Sequence, residues 1–218
     1  MSVHEPETWD GDPYTEALLR GRGPLWLRHA DGRRRPLDVD RWCAPPDSAD
    51  HTLLHRALRA AGPVLDIGCG PGRLTAALVE RGVPALGVDL TRAAVARTRG
   101  LGAAALHRSV FDPLPGEGRW AAALLADGNL GIGGDPAALL ARCAQLLAPG
   151  GELLVEVEAG QLDECVTVRI EDGLGRLGPP FRWARLGADA TARRATGAGL
   201  RAEGGWTAGG RCFLALRR

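Results

Sequence analysis

Lysine is absent from this chain: all 27 of its basic residues are arginine. Without an ε-amino group there is neither a Schiff base nor a Walker lysine, which excludes pyridoxal-phosphate enzymes and P-loop nucleotidases. Cysteine is sparse and unpaired. The five, at 43, 69, 143, 165 and 212, form no CxxC and are odd in number, so a reducing cytoplasm is the expected setting. No stretch reaches 18 uninterrupted apolar residues and the net charge is only +1, so no membrane span and no nucleic-acid footprint is expected. The opening MSVHEPETWDGDPY carries no basic-then-apolar leader. Histidines and cysteines show no ligand spacing and carboxylates do not cluster, so no metal is expected.

From Gly62 onward, short apolar runs alternate with helical patterns, the signature of a parallel sheet built from βαβ units. Strands are predicted near 63–67, 84–88, 103–108, 120–126 and 151–158, with helices near 73–81, 91–99 and 135–148. Asp135 and Pro136 open the last of these helices, and Pro149-Gly150-Gly151 closes it. After Leu200 an antiparallel hairpin ends the chain. Ahead of the first strand, Asp31-Gly32 sits between two alternating segments, which predicts a surface hairpin, followed by a helix near 48–61. Residues 160–187 form an irregular region containing the alternating run VTVRIE, and a helix near 188–198 follows it. The chain thus divides into a flap segment, 1–46, and a main domain, 47–218.

The stretch VLDIGCGPGRL at 64–74 runs from a strand through Gly68, Gly70 and Gly72 into a helix. Such a junction presents bare N–H groups and a positive dipole end to a ligand. The dinucleotide fingerprint GxGxxG would need glycine at 73, where Arg73 stands, so the match to a nicotinamide cofactor is imperfect. Asp89 ends the second strand, where a carboxylate accepts from both hydroxyls of a ribose; Asp112 follows the third, in SVFDPLP, within reach of an adenine amine. Taken singly, Asp89 reads equally as a helix cap and Asp112 as a turn residue. Asp89 should matter more to binding than to folding, because it stands past the end of its strand.

With these motifs in order, residues 47–218 resemble the class I S-adenosylmethionine-dependent methyltransferases. VLDIGCGPGRL resembles their first motif, ALGVDL their acidic ribose motif, SVFDPLP their adenine segment, WAAALLADG their fourth motif and LLAPGGELLVEV the turn and fifth strand. The resemblance implies a Rossmann-like α/β fold, a seven-stranded sheet with helices on both faces and the last strand antiparallel, with the flap and a lid insertion after strand five added. It implies that Asp66, Gly68, Cys69, Gly70 and Gly72 surround the methionine end of S-adenosylmethionine. Asp89 and Leu90 would hold ribose and adenine, and Phe111 with Asp112 would flank the adenine. N-terminal segments of similar enzymes often cover the cofactor, which gives Trp9, Tyr14 and Trp26 an interest, with His4 and His29 beside them.

The expected activity is methyl transfer to a small-molecule acceptor, yielding S-adenosylhomocysteine, in a protein expected to be a monomer or homodimer. Asp127 and Asn129, in ADGNLGIGGD at the end of the fourth strand, lie where the methyl should point, and Asp127 is the candidate base. The Asp-Gly-Asn sequence reads equally as turn chemistry. His51, His55 and His107 lie in no motif. The run RRRP at 33–36 and arginines 169, 176, 182 and 185 are either solvated or recruit an anionic acceptor. No [DN]PP[YFW] follows the fourth strand, which disfavours methylation of adenine, cytosine or a glutamine amide. An oxidoreductase of the nicotinamide type, or a non-catalytic binder of S-adenosylmethionine, stays open as an alternative.

Overall fold

The structure is a computed structural model, and it describes residues 12–218. Two short helices and a hairpin come first: α1 (Pro13–Arg20), β1 (Leu25–His29), β2 (Arg34–Leu37) and α2 (Val39–Cys43). Then follow α3 (Ser48–Leu58), β3 (Val64–Ile67), α4 (Arg73–Glu80), β4 (Ala85–Asp89), α5 (Arg92–Gly100), β5 (Ala104–His107) and β6 (Trp120–Leu125). A 3-10 segment (Asn129–Gly134) leads into α6 (Pro136–Leu146) and β7 (Leu147–Val157). The chain closes with β8 (Asp163–Asp172), β9 (Phe181–Leu186), α7 (Ala188–Gly197), β10 (Arg201–Ala208) and β11 (Arg211–Arg217).

Every residue of β3 is buried, the pattern of a strand covered on both faces. It lies at the middle of a seven-stranded sheet of order β10-β11-β7-β6-β3-β4-β5. β7, β6, β3, β4 and β5 run parallel, and β11 returns antiparallel between β7 and β10. The core forms a layer on each face. Leu65, Ile67 and Leu153 pack with Leu139, Leu140 and Cys143 of α6 on one side. Val64, Leu124 and Leu154 pack with Leu53, Leu54, Leu74 and Leu78 of α3 and α4 on the other. Burial of this kind is worth roughly 1.5–3 kcal/mol per large side chain. α6 stops at Leu146, two residues before the predicted end, and Pro149-Gly150-Gly151 lies inside β7, where its pairing with β6 shifts register.

Residues 160–187 are not irregular. They form an antiparallel hairpin, β8–β9, and β8 also pairs with β1: Leu25 opposite Asp172, Leu27 opposite Ile170, His29 opposite Val168. Flap and insertion are therefore one four-stranded sheet, β2-β1-β8-β9. Its inner residues Leu25, Leu27, Val168 and Ile170 pack on Ala17 and Leu18 of α1, Val39 of α2 and Ala93 and Ala94 of α5. Trp26 points to the opposite face, under the Arg34 guanidinium at 5.7 Å, so it covers no part of the glycine loop. Most of the arginines that the sequence left as solvated or anion-recruiting are ion-paired within this layer. Arg28 and Arg34 hold the buried Glu171, Arg35 and Arg185 share Glu158, and Arg176 joins Glu16 and Asp172.

Candidate functional site

The glycine loop leaves β3 with Gly68, Gly70 and Gly72 at φ +70°, +54° and +93°. Gly72 is required twice over, since a Cβ there would also lie 2.7 Å from the Thr98 Cα. The N–H groups of Gly68 and Cys69 donate to the Val88 carbonyl at 2.8 and 3.1 Å. The Gly70 N–H donates to Asp89 Oδ2 at 2.9 Å, while Asp89 Oδ1 accepts from the Thr91 N–H at 2.8 Å. Asp89 thus ties the loop to Thr91, the residue that precedes α5. Burial raises its carboxyl above the usual range, and these two N–H donors oppose the shift.

The remaining motif residues fall into two groups. Asp66 is 2 % exposed, with Oδ2 accepting from the Thr75 hydroxyl at 2.7 Å, and Cys69 packs with Val95 and Ala105 beneath α5. Both side chains turn inward, so what these positions offer a ligand is backbone. Leu90 and Phe111, in contrast, are 38 % and 37 % exposed, and they stand just past the carboxyl ends of β4 and β5. Asp112 is exposed and accepts from the Ser109 N–H at 3.3 Å, closing its own turn.

Burial raises the Asp66 carboxyl from 3.8 to about 7, with the Asp127 and Asp89 charges adding and the Thr75 hydroxyl opposing. In the folded protein it therefore keeps a proton that the unfolded chain has released. Its contribution to stability is complete below pH ~4 and is lost as pH rises through about 7. Asp66→Asn removes this dependence and keeps an acceptor for Thr75. Urea unfolding at pH 5 and pH 8 should show the variant gaining on the parent by a few kcal/mol over that interval. Parallel pH profiles would show that Asp66 does not titrate there.

Above the loop stands Tyr14 of α1. Burial raises its hydroxyl well above the ordinary value, and the charges of Asp89, Cys69, Asp12 and Asp127 add to that, so it remains a neutral donor between the ends of β4 and β6. Its ring meets Trp42 of α2 edge-on, with centroids 6.2 Å apart. Trp9 and His4 lie outside the described residues. His29 is buried in β1, His107 Nε2 lies 2.8 Å from the Leu90 carbonyl, and His51 and His55 are exposed on α3.

Asp127 takes a left-handed conformation, φ +57°, just past β6. Three guanidiniums converge on its carboxylate: Arg73 Nη2 at 2.5 Å on Oδ2, with Arg41 Nη2 at 2.7 Å and Arg211 Nη2 at 3.3 Å on Oδ1. Arg73 and Arg211 also hold Asp50, which is fully buried, and Arg211 holds Glu156. Asn129 Nδ2 donates to the Ile67 and Gly68 carbonyls at 2.9 and 2.8 Å, joining this end of β6 to the glycine loop. Sequence reasoning singled out Asp127 and Asn129 but missed Arg41, Trp42, Arg73, Arg211 and Asp50. An arginine in a buried network and one on a solvated surface look the same in sequence; Arg73 gave one faint signal, standing where a third fingerprint glycine would be. Two clefts of about 380 and 400 Å³, around Arg56, Arg59 and Trp206, open away from all of these residues; the first is lined by the amino-terminal ends of β6 and β7.

A family model described as a methyltransferase domain matches residues 42–198. Trans-aconitate 2-methyltransferase of Paracidovorax citrulli is 33 % identical over 138 residues, covering 61 % of this chain and 48 % of its own. A ubiquinone biosynthesis O-methyltransferase of Psychrobacter arcticus is 36 % identical over 121 residues, covering 48 % and 44 %. The chain spans about half the length of these curated relatives. Among solved structures, an S-adenosylmethionine-dependent methyltransferase of Bacteroides fragilis in complex with S-adenosyl-L-homocysteine superposes with a TM-score of 0.76. It is 19 % identical and covers 93 % of this chain and 91 % of its own, a likeness of fold. With the family model spanning most of the sequence, the glycine loop, the acid ending β4 and the antiparallel last strand have one common explanation: the chain belongs to the class I S-adenosylmethionine-dependent methyltransferase family.

Proposed function

We propose that this protein transfers a methyl group from S-adenosylmethionine to a small-molecule acceptor by in-line displacement. The observation that carries the reading is the joint fastening of Gly70 and Thr91 to Asp89, which sets a carboxylate beside the glycine loop at the carboxyl ends of β3 and β4; the N–H groups of Gly68, Cys69 and Gly70, expected from sequence to be bare, are bonded within the protein. In this reading Asp89 accepts from the ribose, Leu90 and Phe111 enclose the adenine with Asp112 at its edge, and the backbone at 66–72 lies along the methionine end. Tyr14 covers that end as a neutral donor. The sulfonium supplies an activated methyl when bound, and the protein aligns the acceptor and excludes water.

Asp127 acts here by positioning. Both of its oxygens are taken by guanidiniums, so it holds Arg41 and Arg73 rather than receiving the acceptor's proton. The small size of the acceptor is supported by the four-stranded sheet, whose β9 lies against the 3-10 segment after β6. Trp183 of β9 stands so close to Gly131 that a Cβ there would lie 2.6 Å from its Nε1.

Calorimetry against S-adenosylmethionine, S-adenosylhomocysteine and NAD tests the cofactor, with binding of the first two and not the third expected. Tight NAD binding would replace the reading with a nicotinamide one. Turnover is tested by incubating metabolite extracts with labelled methyl donor; cofactor binding with no labelled product would favour a non-catalytic binder.

A further inference from the structure

The two clefts that open away from the glycine loop share Arg56 and Arg59, and the second, of about 400 Å³, is lined by His51, Thr52, His55, Arg56, Arg59 and Trp206. Positions 51, 55 and 59 recur at four-residue intervals, so α3 and its C-cap turn one basic stripe toward this cleft. No carboxylate lines it among the described residues. In the first cleft the acids are already answered: Glu152 and Glu203 pair with Arg217 at 2.6 and 2.8 Å, and Glu203 also with Arg201 at 2.7 Å. Arg56 is held in place. Its guanidinium lies over the Trp206 ring at 5.4 Å, and its Nε stands 3.5 Å from Glu152 Oε2. Trp206 is itself fixed, because its Nε1 donates to the Thr52 hydroxyl at 2.9 Å and its ring stacks on Phe213 with centroids 5.1 Å apart. The two Nη groups of Arg56 and the guanidinium of Arg59 have no hydrogen bond or ion pair among the described residues. His51 Nδ1 accepts from Arg81 Nη2 at 3.3 Å, which leaves Nε2 as its N–H donor.

We propose that this cleft binds the phosphoryl group of a phosphomonoester. A fixed guanidinium with both terminal nitrogens open is the planar fork that takes an oxyanion through two parallel bonds. A phosphate monoester is close to doubly charged near neutral pH and carries three acceptor oxygens, enough for the Arg56 fork, Arg59 and an imidazole N–H together. A carboxylate has two oxygens and would fill the fork alone. The cleft lies on α3 and β10, away from the glycine loop, so it is a second site and stands whether or not S-adenosylmethionine binds.

The test is calorimetry of the full chain with glucose 6-phosphate, glucose and citrate at low salt, where exposed charges are least screened. Flotation with phosphatidylcholine vesicles, with and without phosphatidic acid, runs beside it. The parent protein should bind glucose 6-phosphate and not glucose, to the same extent with and without saturating S-adenosylhomocysteine. Arg56→Lys, which keeps the charge and removes the fork, should weaken binding by about tenfold or more. Arg59→Gln should weaken it several-fold, and it carries the test if Arg56→Lys does not fold. Arg193→Gln, which removes a 69 % exposed arginine from α7, should leave binding unchanged. Binding of the phosphatidic acid vesicles in place of the sugar phosphate, lost in Arg56→Lys, supports the same phosphomonoester chemistry with a lipid as its source. Binding of neither, citrate held as tightly as glucose 6-phosphate, an equal loss in Arg193→Gln, or competition by S-adenosylhomocysteine overturns the proposal. Tighter binding of a single-stranded oligonucleotide without a terminal phosphate would assign the patch to nucleic acid and overturn it as well.

Discussion

Asp50→Ala should destabilise the protein by about 3–5 kcal/mol, the usual result of removing one partner from a buried ion pair. Asp50 is fully buried and answers two guanidiniums, Arg211 at 2.8 Å and Arg73, whose own side chain is 3 % exposed. Its carboxylate also completes a capping box with Asp47: the Asp47 N–H donates to Asp50 Oδ2 at 2.9 Å and the Asp50 N–H to Asp47 Oδ1 at 2.8 Å. Truncation leaves Arg73 in a dry environment with Asp127 as its remaining carboxylate. The capping bond to the Asp47 N–H is lost too, a further ~1 kcal/mol. For a domain of this size the melting temperature should fall by on the order of 10 °C. Asp50→Asn separates the contributions, because it keeps an acceptor for the cap and removes only the charge. If Asp50→Ala melts with the parent, the ion network contributes little, and Arg73 and Arg211 find water or other acceptors.

Asp89→Ala should weaken S-adenosylmethionine binding by roughly tenfold to a few hundredfold, the worth of one or two hydrogen bonds to a charged acceptor. From sequence the substitution is expected to spare folding. The structure corrects that expectation, since the carboxylate holds the Gly70 and Thr91 N–H groups and joins the glycine loop to α5. Removing it leaves the Gly70 and Thr91 N–H groups without this acceptor and releases the loop from the start of α5, a loss of about 1–2 kcal/mol. The expected result is therefore a large fall in affinity together with a melting temperature lower by a few degrees, read by calorimetry and thermal unfolding on the same preparation. A full loss of stability with affinity retained would make Asp89 purely a cap; unchanged affinity at unchanged stability would move the ribose elsewhere.

These two acids mark the difference between what was readable and what was not. The position of Asp89 at the end of β4 was readable because it is set locally: an apolar run of five, an acid at its end and a glycine loop about 20 residues earlier suffice to place it. Asp50 was not, because its partners come from α4 and β11, 23 and 161 residues away, and nothing in ADHTLLHRA distinguishes a buried acid from a capping one. Asp127 shows the same limit from the other side. Its position at the end of β6 was legible, but the conversion of a candidate base into the centre of three guanidiniums depends on α2, α4 and β11 meeting there.

The architecture divides along the same line. Sequence order alone was enough for the parallel sheet, its glycine turn, the helices between its strands and the closing antiparallel hairpin, since strand burial, helix periodicity, caps and turns are each encoded within about a dozen residues. Tertiary structure alone decided that the flap hairpin and the run VTVRIE share one sheet, that Trp26 faces outward while Tyr14 and Trp42 meet edge-on, and that the surplus of arginine is mostly ion-paired. Pairing β1 with β8 joins segments some 140 residues apart in sequence. Such pairing is chosen by which faces can be buried together once the main sheet exists, a condition that no local pattern carries.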